Sequence, residues 1–381
     1  MNSKSPTPPH PVTASEKNLH SQIFTVLSAW GMPPDTATIV AEVMTDTDLA
    51  AIDSHGIAML PAYERLLEAG ELNVTAIPET VNEGPSYATV DGHGGLGHTA
   101  AIRAVDLAST KAQESGIGVV CVRNSHHFGA VGHYVARAAS RGLVCLASTT
   151  TRVISVLPSR GTSPRLGTNP IAFGAPTSAG WPLVLDMSTS TVASNKVRAY
   201  ALKKKLLPPG WVLDAAGNSI VDPHEAREQI QTRPEGGLSA LGGTEDMGNH
   251  KGYGLAIMAQ ILSATLCGAA FSPLRAIGAT DDIGHFFLVI DPRVFRQDNG
   301  FITDIDSMID VLHATPPIDP ERPVLIPGEP EEMSRRHRRE YGIPLPADLV
   351  DEIEEICRRH GAPFTLRADA AQSPLSPPIT S

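Results

Sequence analysis

The chain is short of cysteine, of positive charge and of long apolar runs, and each shortage removes a class of function. Its four cysteines among 381 residues, Cys121, Cys145, Cys267 and Cys357, lie far apart with no C-x-x-C pair. Three of them sit in apolar segments (VVCV, LVCLA, ATLCGAA), where a thiol packs as a small hydrophobe. No disulfide framework is expected, and a reducing cytoplasm is the default location. Lys and Arg total 30 against 41 Asp and Glu, a formal net charge of −11, which argues against nucleic acid or an anionic membrane as the main partner. No apolar run reaches the roughly 18–20 residues of a membrane span. The opening MNSKSPTPPHPVTASEKN has no apolar stretch and does not read as a secretory signal. The 33 Gly and 32 Pro are dispersed, and no period of about 20–50 residues recurs, so collagen-like, solenoid and propeller readings fail.

What is present suits a globular enzyme of one large or two to three ordinary domains. Residues 1–14 and 366–381 are expected to be disordered tails. Ser15 is placed to cap a first helix carrying Ile23, Val26, Leu27 and Trp30, stopped by Gly31 and Pro33-Pro34. Asp35 is expected to cap a second helix, and a third runs over about 60–70. From residue 86 the pattern changes to short β-branched runs at 88–90, 117–122, 143–147, 171–173, 183–185 and 286–290. Helical patterns lie between several of them, at 98–115, 131–141, 192–204 and 252–269, which argues an α/β domain. Helices return at 303–313 and 346–360, around an exposed PGEPEE turn. The expected division is a helical substrate and dimer domain of 15–85 and 300–365, and an α/β domain of 86–299.

Five motifs carry candidate chemistry. Gly92-His93-Gly94-Gly95-Leu96-Gly97 formally matches G-x-G-x-x-G between a strand and a helix, but the next strand leads into Arg123-Asn124-Ser125 rather than a ribose-binding acid. Six of the 14 histidines fall between His55 and His133, yet there is no H-E-x-x-H and no carboxylate in the cluster, so no metal site is expected. In Ser54-His55-Gly56, adjacent Ser and His side chains point apart, which excludes a nucleophile pair; a histidine at a helix end suits proton exchange near neutral pH. Leu166-Gly167-Thr168-Asn169-Pro170 and Asp186-Met187-Ser188-Thr189-Ser190 follow strand-like runs and leave backbone N–H groups for an anion, and Asp186 can polarise an imidazole. Lys251 in His250-Lys251-Gly252-Tyr253-Gly254 opens a helix and reads as an anion clamp; the bland alternative for each of these segments is a turn or a cap.

Taken in order, SHG (54–56), GLGH (95–98), RNSHHFG (123–129), LGTNP (166–170), DMSTS (186–190), LPPGWVLDAAGNSIVDP (207–223), KGYG (251–254), GHFFLVIDP (284–292) and IPGEP (326–330) resemble the malate/L-lactate dehydrogenase family. The resemblance spans roughly residues 16–360. It implies an α/β fold with a non-Rossmann cofactor domain and a mixed sheet, a helical N-/C-terminal domain, a homodimer and an active site between the domains. GHGGLG would then be a loop. The implied activity is hydride transfer between NAD(H) or NADP(H) and a small-molecule 2-oxo acid, 2-hydroxy acid or cyclic imino acid. By the same match His55, beside Ser54, is the proton donor, His127 is the other active-site histidine, and Asp186 lies near the catalytic imidazole. Cofactor contacts map onto Pro182, Leu183, Val184, Leu185, Asp186, Met187 and Ser188, onto Thr168 and Asn169, onto His250 and Lys251, and onto Gly328, Glu329 and Pro330.

Three positions depart from the family pattern. Met59 stands where S-H-G-x-x-R would place a carboxylate-clamping arginine, His126 replaces an amide, and Leu157-Pro158-Ser159-Arg160-Gly161 replaces the usual Pro-Trp-Gly. A thioether cannot do a guanidinium's work. Arg65, Arg123, Arg152 and Arg160 are the candidate substitutes. The alternative is a shifted, non-carboxylate substrate, or a non-catalytic relative.

Overall fold

The computed structural model describes residues 12–274, 281–298 and 300–366. The expected tails otherwise lie outside these residues. Along the chain run β1 (Val12–Ala14), α1 (Glu16–Ala29), α2 (Pro34–Leu49), α3 (Leu60–Glu68), β2 (Glu79–Glu83), β3 (Tyr87–Gly95), α4 (Gly97–Ser115), β4 (Ile117–Ser125) and α5 (Val131–Ala139). There follow β5 (Val144–Thr149), β6 (Ile171–Ala175), β7 (Leu183–Met187), α6 (Ser194–Leu202), β8 (Val212–Leu213), α7 (Pro223–Thr232), β9 (Gly237–Leu238) and α8 (His250–Gln260). The chain ends with β10 (His285–Ile290), α9 (Gly300–His313), α10 (Glu329–Tyr341), β11 (Ile343–Leu345) and α11 (Ala347–His360).

Two compact units result, one of residues 1–75 with 330–381 and one of 76–329. The divide therefore falls outside the expected one of 85/86 and 299/300, and α9 joins the α/β unit rather than the helical one.

In the helical unit, the Ser15 hydroxyl accepts the Asn18 N–H at 3.2 Å and so caps α1 as expected. α2 instead begins at Pro34, a residue preset for a first turn, and Asp35 lies inside that turn rather than capping it. Leu19, Ile23, Val26 and Leu27 of α1 and Val350, Ile353 and Ile356 of α11 are buried. The terminal segments are more ordered than expected: β1 pairs antiparallel with β11, and Leu366 is fully buried.

The second unit is built on a seven-stranded sheet, ordered β2-β3-β4-β10-β5-β6-β7 among the described residues. Only β3 and β4 are parallel, joined through α4; the other neighbours are antiparallel. One parallel pair is not a doubly wound fold, so the mixed, non-Rossmann expectation stands. GHGGLG is not a loop, however. β3 runs on through Gly95 and α4 starts at Gly97. A side chain at Gly97 would overlap the His126 carbonyl and come 2.8 Å from Phe128 Cβ, so this glycine serves close packing on the segment after β4. No helix of the described residues is long and apolar enough to cross a membrane.

Candidate active site

Each unit carries part of the expected constellation. In the helical unit the SHG turn follows α2 and is shaped from beneath by Asp48. This aspartate is almost wholly buried, its carboxylate accepts the Ile57 N–H at 2.8 Å, and burial pushes its pKa up to about 8. Any side chain on residue 56 would collide with that carboxylate, which is the physical reason for the glycine of SHG.

The Ser54 and His55 side chains meet, contrary to expectation: Ser54 Oγ lies 2.7 Å from His55 Nδ1. Neighbouring side chains diverge in a strand, but these two lie in a tight turn whose His55 N–H returns to the Ile52 carbonyl at 2.9 Å. Burial lowers the His55 pKa below the ordinary histidine value. The turn is braced by α10, a helix the sequence reading missed. Arg335 forms a two-pronged pair with Asp46 at 2.8 and 3.1 Å, and Arg338 bonds the Asp48 carbonyl and the Asp53 carboxylate. Met59 is half-buried at the N-cap of α3. Elsewhere in this unit Glu64, Glu68 and His360 bring three ligand-type atoms within 4.8 Å of one another, but both Glu64 oxygens already hold Arg359.

In the α/β unit, His127 lies just past β4. Its Nδ1 accepts the Gly129 N–H at 3.3 Å, so a neutral ring carries its proton on Nε2, and its face stands edge-on to His98 at 6.4 Å. Behind it, His285 is fully buried, stacked on Phe128 at 4.2 Å and held by Thr149 at 2.7 Å and Ser125 at 3.2 Å. Desolvation lowers its pKa to about 3. Asp186, exposed near the end of β7, accepts the Gly132 N–H at 2.7 Å in the first turn of α5.

The residues assigned to a nicotinamide cofactor come from distant segments, and all but Pro330 belong to the α/β unit. β7 is an edge strand of the sheet. Its Val184 N–H bonds the Pro327 carbonyl at 3.1 Å, and a side chain on Gly328 (φ +94°) would come 2.9 Å from Val184 N. Val184 thus lies against the Pro327–Glu329 turn, where Glu329 also accepts the Ile326 N–H at 3.1 Å. Past Met187 and Ser188, the Thr189 N–H and hydroxyl both bond the Thr168 carbonyl, at 2.8 and 2.9 Å. Asn169 is buried and donates to the Ala256 carbonyl of α8 at 3.2 Å. The Leu241 N–H bonds the Thr189 carbonyl at 2.9 Å, and the Gly252 N–H near the start of α8 bonds the Leu241 carbonyl at 3.2 Å. His250 and Lys251 are both exposed in the first turn of that helix. A helix start with a lysine, a hydroxyl-rich turn and a backbone cradle that a Cβ at 328 would fill together fit a phosphate-bearing dinucleotide. Pro182 lies beside this cradle, 3.3 Å from the same Cβ position through its carbonyl, whereas Pro330 begins the second segment of the helical unit.

The comparisons agree with this architecture. Residues 14–354 match the family model for malate/L-lactate dehydrogenase. The chain is 35% identical over 354 residues to a malate dehydrogenase of Pyrococcus horikoshii, covering 92% of this chain and 96% of that one. It is 32% identical over 350 residues to the L-sulfolactate dehydrogenase of Methanocaldococcus jannaschii, covering 91% and 96%. Its structure resembles that of malate dehydrogenase from Entamoeba histolytica with a TM-score of 0.88 at 30% identity, covering 93% of this chain and 99% of the other. With its mixed sheet, and with nearly its whole length matched, the chain belongs to the malate/L-lactate dehydrogenase family of NAD(P)-dependent oxidoreductases.

Proposed function

We propose that this chain interconverts a small 2-oxo acid or cyclic imino acid and its reduced form, with His55 as the group that exchanges a proton with the substrate heteroatom. The observation that carries the reading is the hydrogen bond between Ser54 Oγ and His55 Nδ1 at 2.7 Å. A neutral ring that donates Nδ1–H to Ser54 Oγ has Nε2 as its basic nitrogen, and the exchange is assigned to that atom. Burial keeps the ring neutral near pH 7, so in the oxidative direction His55 accepts the proton leaving the hydroxyl or amine. In the reductive direction it delivers that proton after first taking one up. His127, with Nδ1 accepting from Gly129, points the role of Nε2–H donor toward a carbonyl oxygen or imine nitrogen. Asp186 keeps the active-site assignment that the resemblance implies, alongside its bond to α5. Lys251, His250 and the 182–188 and 328–330 segments would hold the cofactor, NAD(H) or NADP(H). When bound, that group supplies or receives the hydride at the substrate carbon. The resemblance also supports a homodimer, and the four scattered, buried cysteines suit a reducing cytoplasm.

The test is His55→Ala, assayed by nicotinamide absorbance with a panel of 2-oxo acids and cyclic imines. Turnover should fall by about 10²–10⁴-fold, while cofactor binding, read by quenching of nicotinamide fluorescence, stays near wild type. Unchanged turnover rejects the assignment.

A further inference from the structure

We infer that His313 is a positioning residue for the cofactor: from the end of α9 it holds the Glu329 carboxylate, and through it the turn against which Val184 of β7 lies. This rests on the proposed cofactor role of the 182–188 and 328–330 segments.

The turn is Ile326-Pro327-Gly328-Glu329. Proline presets its second position, and Gly328, at φ +94°, fills the third, the residue pattern of a type II turn. The Glu329 N–H returns to the Ile326 carbonyl at 3.1 Å, and the Ile326 N–H returns to Glu329 Oε2 at 3.1 Å. One residue therefore closes the turn twice, and the Pro327 carbonyl is left facing the Val184 N–H at 3.1 Å. The side-chain half of that closure depends on where the carboxylate sits. The same Oε2 lies 3.0 Å from His313 Nε2, and an ionised carboxylate only accepts, so the imidazole donates.

α9 also holds the chain ahead of β7. Asp306 Oδ1 accepts the Ser178 N–H at 3.1 Å, in the connection from β6 to β7. Residues 306 and 313 are seven apart and share one face of the helix, about 10 Å from each other along its axis. The helix thus grips the approach to β7 with one residue and the turn beside Val184 with the other. Between these two anchors it does not close on the sheet. Phe301, Ile305 and Met308 of α9 face Phe173 and Leu183 across a cavity of about 450 Å³, and Ile309 is the one buried residue of the helix. Interiors are normally filled, so packing sets the spacing of α9 and β7 loosely, and the polar bonds at 306 and 313 define it. The His313 side chain is 35% exposed, so water competes for its bond and the effect on the cofactor is moderate.

The experiment compares wild type, His313→Ala and His313→Gln, the last restoring an N–H donor near the position of Nε2. Titration by nicotinamide fluorescence should show the Kd for NAD(P)H raised about 3- to 10-fold in His313→Ala and close to wild type in His313→Gln. In kinetics the loss should fall on KM for the cofactor rather than on kcat. In the enzyme without cofactor, amide hydrogen exchange over 183–187 should be faster in His313→Ala, because the bond from Val184 to Pro327 is less well held. In a Glu329→Ala background, His313→Ala should add nothing to Kd; if that background does not fold, the comparison of Ala with Gln at 313 carries the test. A wild-type Kd in His313→Ala, a His313→Gln as weak as His313→Ala, or an undiminished effect in the Glu329→Ala background overturns this inference and leaves the proposed function standing. A wild type that binds neither NADH nor NADPH overturns both.

Discussion

The Asp48 carboxylate occupies the space that a side chain at Gly56 would need. The buried acid thereby sets the path of the chain between His55 and α3. Its acceptance of the Ile57 N–H at 2.8 Å fixes the residue just beyond the glycine, so the acid on α2 and the imidazole-bearing turn form one mechanical piece.

Gly56→Ala should therefore damage both stability and turnover. The added methyl group has to displace a wholly buried carboxylate, an overpacking cost of about 1–3 kcal/mol. Chemical denaturation reads the stability loss, and kcat should fall in the same variant because His55 moves with the turn. An alanine variant of wild-type stability and turnover would contradict this account of the motif.

Asp48 also predicts how stability depends on pH. Its folded-state pKa is raised from 3.8 to about 8, first by desolvation and then by repulsion from Asp53. Below the lower value both folded and unfolded chains hold the proton, and the group is silent. Between the two values the unfolded chain has released its proton while the folded chain retains it, so this group's contribution falls as pH rises. Above about 8 the loss is complete. Asp48→Asn keeps an acceptor for Ile57 and removes the titration. Denaturation midpoints measured across that window should fall less steeply with pH in the variant than in wild type, and equal slopes would refute the assignment.

How much was legible beforehand depends on what each segment does with its apolar residues. α1, α4 and α11 each bury one face, and strands such as β3 and β5 bury alternate residues over part of their length, so their periodicity appears in the sequence. α10 escaped because EPEEMSRRHRREY buries none of its residues. It is held by ion pairs such as Arg335 with Asp46, which leave no hydrophobic pattern. β2 escaped for a similar reason, being a polar edge strand. The histidine and lysine motifs were recognisable from residue order. Missed were the contacts that depend on how the chain turns. Ser54 meeting His55 follows from turn geometry, and His313 meeting Glu329 from the way the chain doubles back after α9. Asp46, Asp48 and Asp53 all stand close to SHG in the sequence, and only burial separates Asp48 from the other two.

The last prediction separates backbone strain from cofactor binding at Gly328. This residue has φ +94°, and a Cβ there would press on Val184 N at 2.9 Å, so Gly328→Ala must both strain its own backbone and push β7 away. Gly217 offers the matching control, with φ +84° and no atom within 4 Å of its added Cβ. Gly217→Ala should lose stability from the left-handed conformation alone, about 1–2 kcal/mol, with unchanged affinity for NAD(P)H. Gly328→Ala should lose at least as much stability and also weaken NAD(P)H binding, measured by fluorescence titration, because the strand carrying residues 183–187 is displaced. Equal cofactor affinity in the two variants would remove the Pro327–Glu329 turn from the cofactor site and leave Gly328 with a packing role only.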